Sequence, residues 1–239
     1  MAMLVPFVFG ALYVLRAELG PVRAAGRVAV AAVVVALTVA PWTYRNYVVF
    51  DAFVPVSTNL GPILWMGNHP ETTGGFSVLP DWTDEMDEVE RAAALKEKAL
   101  GYIVADPAGF VLRTAWKLVR THERETIGVT WNQAGLQRWT GPEGIFALKT
   151  AATSYWFAML SLAAIAIGAL IWRQGLWRGV VHPVPVFWAY YASIHAVTIA
   201  GDRYHMPSAP MIAILAAIGL AVLLSQGQRG PTTPRPAAA

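Results

Sequence analysis

The chain has 239 residues and a formal charge of +3, with 56% hydrophobic and only 14% charged residues, where an ordinary soluble domain carries about a quarter charged. With a mean hydropathy of +0.45, this composition points to a membrane protein, and so small a net charge gives no ground for a nucleic-acid partner. The absence of cysteine excludes a disulfide scaffold, a thiolate metal site and a cysteine nucleophile.

In chain order, Met1 to Leu15 is an apolar run that stops at Arg16 and is short for a span. It has neither a basic start nor a small-residue cleavage site, so it reads as the exit half of a truncated helix in the C-terminal part of a longer chain. Uncharged intervals follow between Arg27 and Arg45, Lys149 and Arg173, Arg178 and Asp202, and Arg203 and Arg229. About 20 apolar residues cross a bilayer, so the first interval is marginal and the other three are comfortable spans. Ala52 to Pro70 is also uncharged, but its Gly, Pro and Asn content reads as loop.

The expected fold is therefore an all-α membrane protein with about five transmembrane helices and one large extracytoplasmic α-rich loop domain. Its parts are two N-terminal membrane helices (1–44), the extracytoplasmic domain (45–150), three further spans (151–225) and a disordered cytoplasmic tail (226–239). Basic residues set the orientation. Arg16, Arg23 and Arg27, then Arg173 and Arg178, then Arg229 and Arg235 sit in alternate connections with Glu18 as the single acid, which places those connections in the cytoplasm.

In the external segment, Phe53-Val54-Pro55-Val56 reads as a short strand. Asp84 to Ala105 reads as an amphipathic helix, and Asp106-Pro107 as the cap and first turn of another reaching about Arg124. On that helix Arg113, Lys117, Arg120 and Arg124 form one cationic stripe, with Val111, Leu112, Ala115, Leu118 and Val119 mainly opposite. Two readings stand: a helix lying in the membrane surface that attracts lipid phosphate, or a solvated charged face packed through its apolar side. The turn Asp202-Arg203-Tyr204-His205 gives a sharper signal, because ionisable groups at a membrane boundary pair with one another or meet a ligand. An arginine fork suits phosphate; an interface anchor is the plainer account of the same residues. His195, inside the fourth helix, reads as a neutral hydrogen-bonded histidine. No Gly-rich phosphate loop, nucleophile elbow, complete zinc motif or Asp-x-Asp pair occurs, and no metal or cofactor is expected.

Three pieces then occur in order: Ala40-Pro41-Trp42-Thr43-Tyr44-Arg45-Asn46-Tyr47, Phe53-Val54-Pro55-Val56-Ser57-Thr58-Asn59, and Trp65-Met66-Gly67-Asn68-His69-Pro70. With Asp106-Pro107-Ala108-Gly109-Phe110, Trp116-Lys117-Leu118 and Asp202-Arg203-Tyr204-His205-Met206-Pro207, this set resembles bacterial GT-C membrane glycosyltransferases. These are enzymes similar to protein O-mannosyltransferases and the lipid A aminoarabinose transferase. The resemblance implies a donor-binding portion of an enzyme of the bacterial cytoplasmic membrane. Such an enzyme moves a sugar, with inversion, from a polyprenyl-phosphate donor to an acceptor glycan, lipid or protein on the outer face. It further implies that Arg203, Tyr204 and Lys117 contact the donor phosphate, and that Arg45, Asn46, Asn59 and Asn68 line the outer cavity. The catalytic acid of that family lies in a first external loop that these residues do not include. The competing expectation is a non-catalytic membrane protein that binds polyprenyl lipid or a partner subunit.

Overall fold

A computed structural model describes residues 4–227, and among them every regular element is helical. In chain order these are α1 (Val5–Leu15), α2 (Pro21–Phe50), α3 (Leu60–Met66), a 3-10 turn (Asp81–Thr83), α4 (Glu88–Ala105) and α5 (Pro107–His122). Then come α6 (Ile127–Trp131), α7 (Gln133–Gln174), α8 (Leu176–Val180), α9 (Pro183–Val197), a second 3-10 turn (Asp202–Ser208) and α10 (Ala209–Gly227).

Three stretches are long and apolar enough to cross a membrane: Pro21–Phe50, Gln133–Gln174 and Asp202–Ser225. The other two expected spans are shorter. α1 has 11 residues and α9 has 15, and at about 1.5 Å per residue neither reaches across a hydrocarbon core of about 30 Å. The uncharged interval before Asp202 is divided because His182 caps α9 through Nδ1, Pro183 opens it, and the chain from Thr198 to Gly201 leaves helical geometry. Conversely, α7 starts well before Lys149, with a kink at Gly141 (φ 67°) after which Pro142 opens its second helical segment.

α7 and α10 form the central pair. Trp156, Ala163 and Ala166 bury against Ile212 and Leu215, and a Cβ on Gly219 would lie 2.0 Å from the Leu162 carbonyl oxygen. Small residues bring the two backbones close enough for dispersion to hold apolar helices together. α1 packs on α9 through Leu12, Val181 and Phe187. Below them Arg16 Nη1 donates to Arg178 O and Val181 O, and Trp177 Nε1 donates to Leu15 O. The two connections that carry Arg16 and Arg178 thus lie at one end of the helices. α2 leaves Val30, Val33, Val34 and Leu37 exposed.

Several expectations are corrected. Phe53 to Val56 forms no strand, because its carbonyls are taken by side chains of α2. Asn46 Nδ2 donates to Val54 O and Val56 O, Thr43 Oγ1 to Pro55 O, and Trp42 Nε1 to Val56 O. Within the stretch read as loop, Leu60–Met66 is helical: Pro62 falls in the first turn, where its missing N–H is harmless. Gly61 lies against α4, where a Cβ would meet Ala92 O at 1.9 Å. α4 starts at Glu88 rather than Asp84, since Asp87 accepts from Val89 N and Glu90 N. α5 begins as expected, with Asp106 accepting from Gly109 N at 2.9 Å, but ends at His122, leaving Arg124 in the following segment. Gln226 and Gly227 belong to α10 rather than to a disordered tail; the remainder of that tail, 228–239, lies outside the described residues, as do residues 1–3 of the first apolar run.

Candidate functional site: an arginine-lined cavity

The amphipathic character of α5 is used in the reverse of the soluble manner. Val111, Leu112, Trp116 and Val119 are all more than half exposed, while Arg113 and Arg120 are half-buried and Lys117 is fully buried. Arg113, Lys117 and Arg120 of the cationic stripe thus face the protein, while Arg124 at its end is exposed. α5 packs on α9 and on the Asp202–Ser208 turn, which brings the stripe to the residues after α9.

Lys117 is the tie at the centre of this contact. Its Nζ donates to Gly67 O, Asn68 Oδ1, Val197 O and Thr198 O at 3.0 to 3.3 Å. An ammonium has three donors, and four acceptors leave none for a donor phosphate. Lys117 instead satisfies the carbonyls at the end of α9. Burial, with the neighbouring Arg113 charge adding to it, pushes its pKa down to about 8. Asn68 is equally enclosed, donating to Leu64 O and Val197 O. Gly67 permits the approach, since a Cβ there would stand 1.6 Å from Thr198 O. Lys117 and Asn68 are therefore internal supports.

The last turn of α5 and the residues after it meet Arg203 across a cavity of about 210 Å³ lined by Gly75, Phe76, Arg120, Arg124, Ile127 and Ala200 to Tyr204. Arg120 Nη1 donates to Thr73 O at 2.8 Å. Arg203 Nη2 donates to Tyr204 Oη at 2.6 Å, with its guanidinium 4.7 Å from that ring's centre. Tyr204 in turn stacks on His195 at 4.7 Å. Arg124 lies 3.9 Å from Glu123 and is more than half exposed. Each guanidinium offers five donors, so most are not taken up by the protein contacts just described. Asp202, buried, holds Thr126 through Oδ2, accepting from its N at 3.1 Å and its Oγ1 at 2.7 Å. Gly201, at φ 156°, lets the chain turn into this loop.

Compared with protein families, curated proteins and solved structures, the chain finds no match. The site is therefore judged on its geometry. Of the residues singled out from sequence, Arg120, Arg124, Arg203 and Tyr204 come together. Arg113 lies outside, paired with Asp106 at 3.1 Å. Arg45 is exposed, donates to Asn46 and lies over Trp42; Asn46 is buried against the 54–56 backbone; Asn59 is exposed at the start of α3. None of these three lines the arginine cavity.

Sequence reasoning missed a polar cluster beside the cavity. His205 Nδ1 donates to Thr121 O at 2.8 Å, its Nε2 meets Glu125 Oε2, and its ring stacks on Trp156 at 4.0 Å. His122 donates from Nδ1 to Leu118 O and accepts at Nε2 from Trp188 Nε1 at 3.0 Å. That pair of bonds fixes a neutral tautomer, and burial lowers the pKa of His122 in the same sense. Glu125 and His205 stand 80 positions apart, and no local pattern links them.

Proposed function

We propose that this chain is the donor-binding portion of an integral membrane glycosyltransferase, which takes a sugar from a polyprenyl-phosphate donor to an acceptor on the extracytoplasmic face of a bacterial cytoplasmic membrane. The reading keeps the topology of five membrane-associated helices, with residues 45–150 and the Gly201–His205 turn outside. One observation carries it: Arg120, Arg124 and Arg203 line one cavity beside the start of a membrane-length apolar helix. A guanidinium presents a planar fork that matches phosphate oxygens. The cavity's small volume admits a headgroup, and the outward apolar face of α5 sets that headgroup at the depth of the bilayer surface.

In the transfer, an acceptor hydroxyl attacks the anomeric carbon and the bond from that carbon to the phosphate oxygen breaks. The hydroxyl proton passes to a carboxylate base, and polyprenyl phosphate departs with an added negative charge. Guanidiniums already in place stabilise that charge as it develops. Their part is electrostatic, and they supply no sugar preference.

Binding of a short-chain polyprenyl phosphate, with and without a linked hexose, to the purified full chain in micelles tests this. Loss of charge-assisted bonds in Arg203→Ala or Arg120→Ala costs about 1.5–3 kcal/mol, or about ten- to a hundredfold in affinity. Arg113→Ala, outside the cavity, stays near wild type. Unchanged affinity in both cavity variants would remove the phosphate from this site. A transfer assay on the same protein separates an active enzyme from a lipid-binding protein.

A further inference from the structure

The cavity's single carboxylate is unexpected in a phosphate site. Asp202 has only 8% of its surface exposed, and its Oδ2 is occupied by the backbone N–H and hydroxyl of Thr126. Oδ1 has no hydrogen-bond partner among the described residues, and none of the three cavity arginines comes within ion-pair distance of it. Asp202 nevertheless lines the cavity. A carboxylate beside an anion repels it, and Oδ1 is not one of the polar atoms shut away from solvent without a partner. The latch to Thr126 accounts for one oxygen and leaves the other unexplained.

We infer that Asp202 accepts a hydrogen bond from a hydroxyl or amino group attached next to the phosphate, so that the cavity selects a sugar phosphate over simple phosphate esters. An ionised carboxylate only accepts hydrogen bonds, and it meets such donors on a sugar but none on a phosphate diester or on a monoester that has lost its second proton. The arginines hold the charge, while Asp202 gives the preference they lack. A volume of about 210 Å³ suits a phosphate with part of one ring. The inference rests on the phosphate reading of the arginines and adds the class of group bound beside it.

The test uses the full chain in micelles at about pH 8 with three soluble probes, each a dianionic monoester there: methyl phosphate, a hexose 1-phosphate, and the same hexose 1-phosphate with every ring hydroxyl methylated. Wild type should bind the hexose 1-phosphate about tenfold more tightly than its methylated form, which has no donor hydroxyl. Asp202→Asn removes a negative charge, so methyl phosphate should bind as well as before or more tightly, while the hexose 1-phosphate weakens about tenfold. That divergence of sign is the signature. Equal binding of the native and methylated sugars by wild type, or a shift of methyl phosphate and the hexose 1-phosphate in one direction in Asp202→Asn, would overturn the role of Asp202 and leave the arginines standing. If wild type bound none of the three probes, the phosphate reading would fall as well. Because the comparison of the two sugars needs no variant, the outcome holds even where Asp202→Asn does not fold. Thr126→Val, which removes one latch bond and keeps the carboxylate, should retain the sugar preference.

Discussion

Replacing Lys117 with methionine keeps the apolar stem and removes the ammonium from a fully buried position. Of the four oxygens it holds, Val197 O keeps a second donor, Asn68 Nδ2 at 3.0 Å. Gly67 O, Asn68 Oδ1 and Thr198 O are left with no partner among the described residues. A buried acceptor stripped of its donor costs about 1–3 kcal/mol. Three such groups at the low end give about 3 kcal/mol, while relief from burying a charge offsets part of it. A net loss of about 2–3 kcal/mol follows. Arg113→Met removes the same charge from the same helix one turn earlier, but breaks only a partly exposed pair with Asp106, worth about 0–1 kcal/mol. Reversible unfolding of the full chain in mixed micelles, followed by tryptophan fluorescence, should separate the two variants by about 1 kcal/mol or more. Equal stability would refute the assignment of Lys117 as the tie between α5, α9 and the Gly67–Asn68 turn.

The same lysine predicts a pH dependence. Its pKa is about 8 in the fold against about 10.4 in an unfolded chain. Between those values the unfolded state holds a proton that the folded state has released, so stability rises with pH there and is flat below pH 8. The gap between wild type and Lys117→Met should therefore widen from pH 8 to pH 10, and a narrowing gap would contradict burial as the cause. Two glycines give opposite signs. Gly67→Ala drives a Cβ into the Thr198 backbone and should cost at least about 1–3 kcal/mol, whereas Gly101→Ala, in α4 with open space around it, should stabilise by about 0.5–1 kcal/mol. Melting temperatures that move the same way for both would refute this contrast. Since the chain has no cysteine, single-cysteine spin labels can report the depth of α5. A label at Leu112→Cys should collide with oxygen more than with a water-soluble relaxant, and one at Lys96→Cys, exposed on α4, should do the reverse. Water-like behaviour at position 112 would remove α5 from the bilayer surface.

What the sequence made legible followed from local rules. Asp106 and Pro107 announced the start of α5 because a cap and a first-turn proline act within one turn. The apolar stretches that became α2, α7 and α10 needed only length and composition. Misreadings arose where a distant partner decided. Gly61 and Pro62 argue for loop until α4 lies against Gly61, and Phe53 to Val56 reads as a short strand until Asn46, Thr43 and Trp42 claim its carbonyls. The site was half legible. Arg203 and Tyr204 stood out by their place between two apolar stretches, but the cavity exists only because α5 turns its cations inward. A helical wheel gives the stripe and leaves its direction open.

That direction is what makes a site of these residues. In water, a helix with Arg113, Lys117, Arg120 and an apolar opposite face would bury the apolar face and hydrate the cations. At a bilayer surface, where the proposed function places α5, the preference would invert, because lipid would accept Val111, Leu112 and Trp116 while the cations would need acceptors from the protein. The chain supplies those acceptors in graded number: four oxygens for Lys117, one carbonyl for Arg120, and for Arg124 only a neighbour at 3.9 Å. Moving along the stripe toward the Asp202–Ser208 turn, each cation is less satisfied by protein and more available to a ligand. The buried end of this gradient fixes the geometry of α5 on α9, and its open end faces Arg203. A substitution at Lys117 should therefore impair phosphate binding indirectly, through displacement of the turn, and lower stability in parallel. A substitution at Arg124 should weaken phosphate binding with little change in stability. A loss of stability in Arg124→Ala comparable to that in Lys117→Met would mean that the stripe is structural throughout, with no open end left for a phosphate.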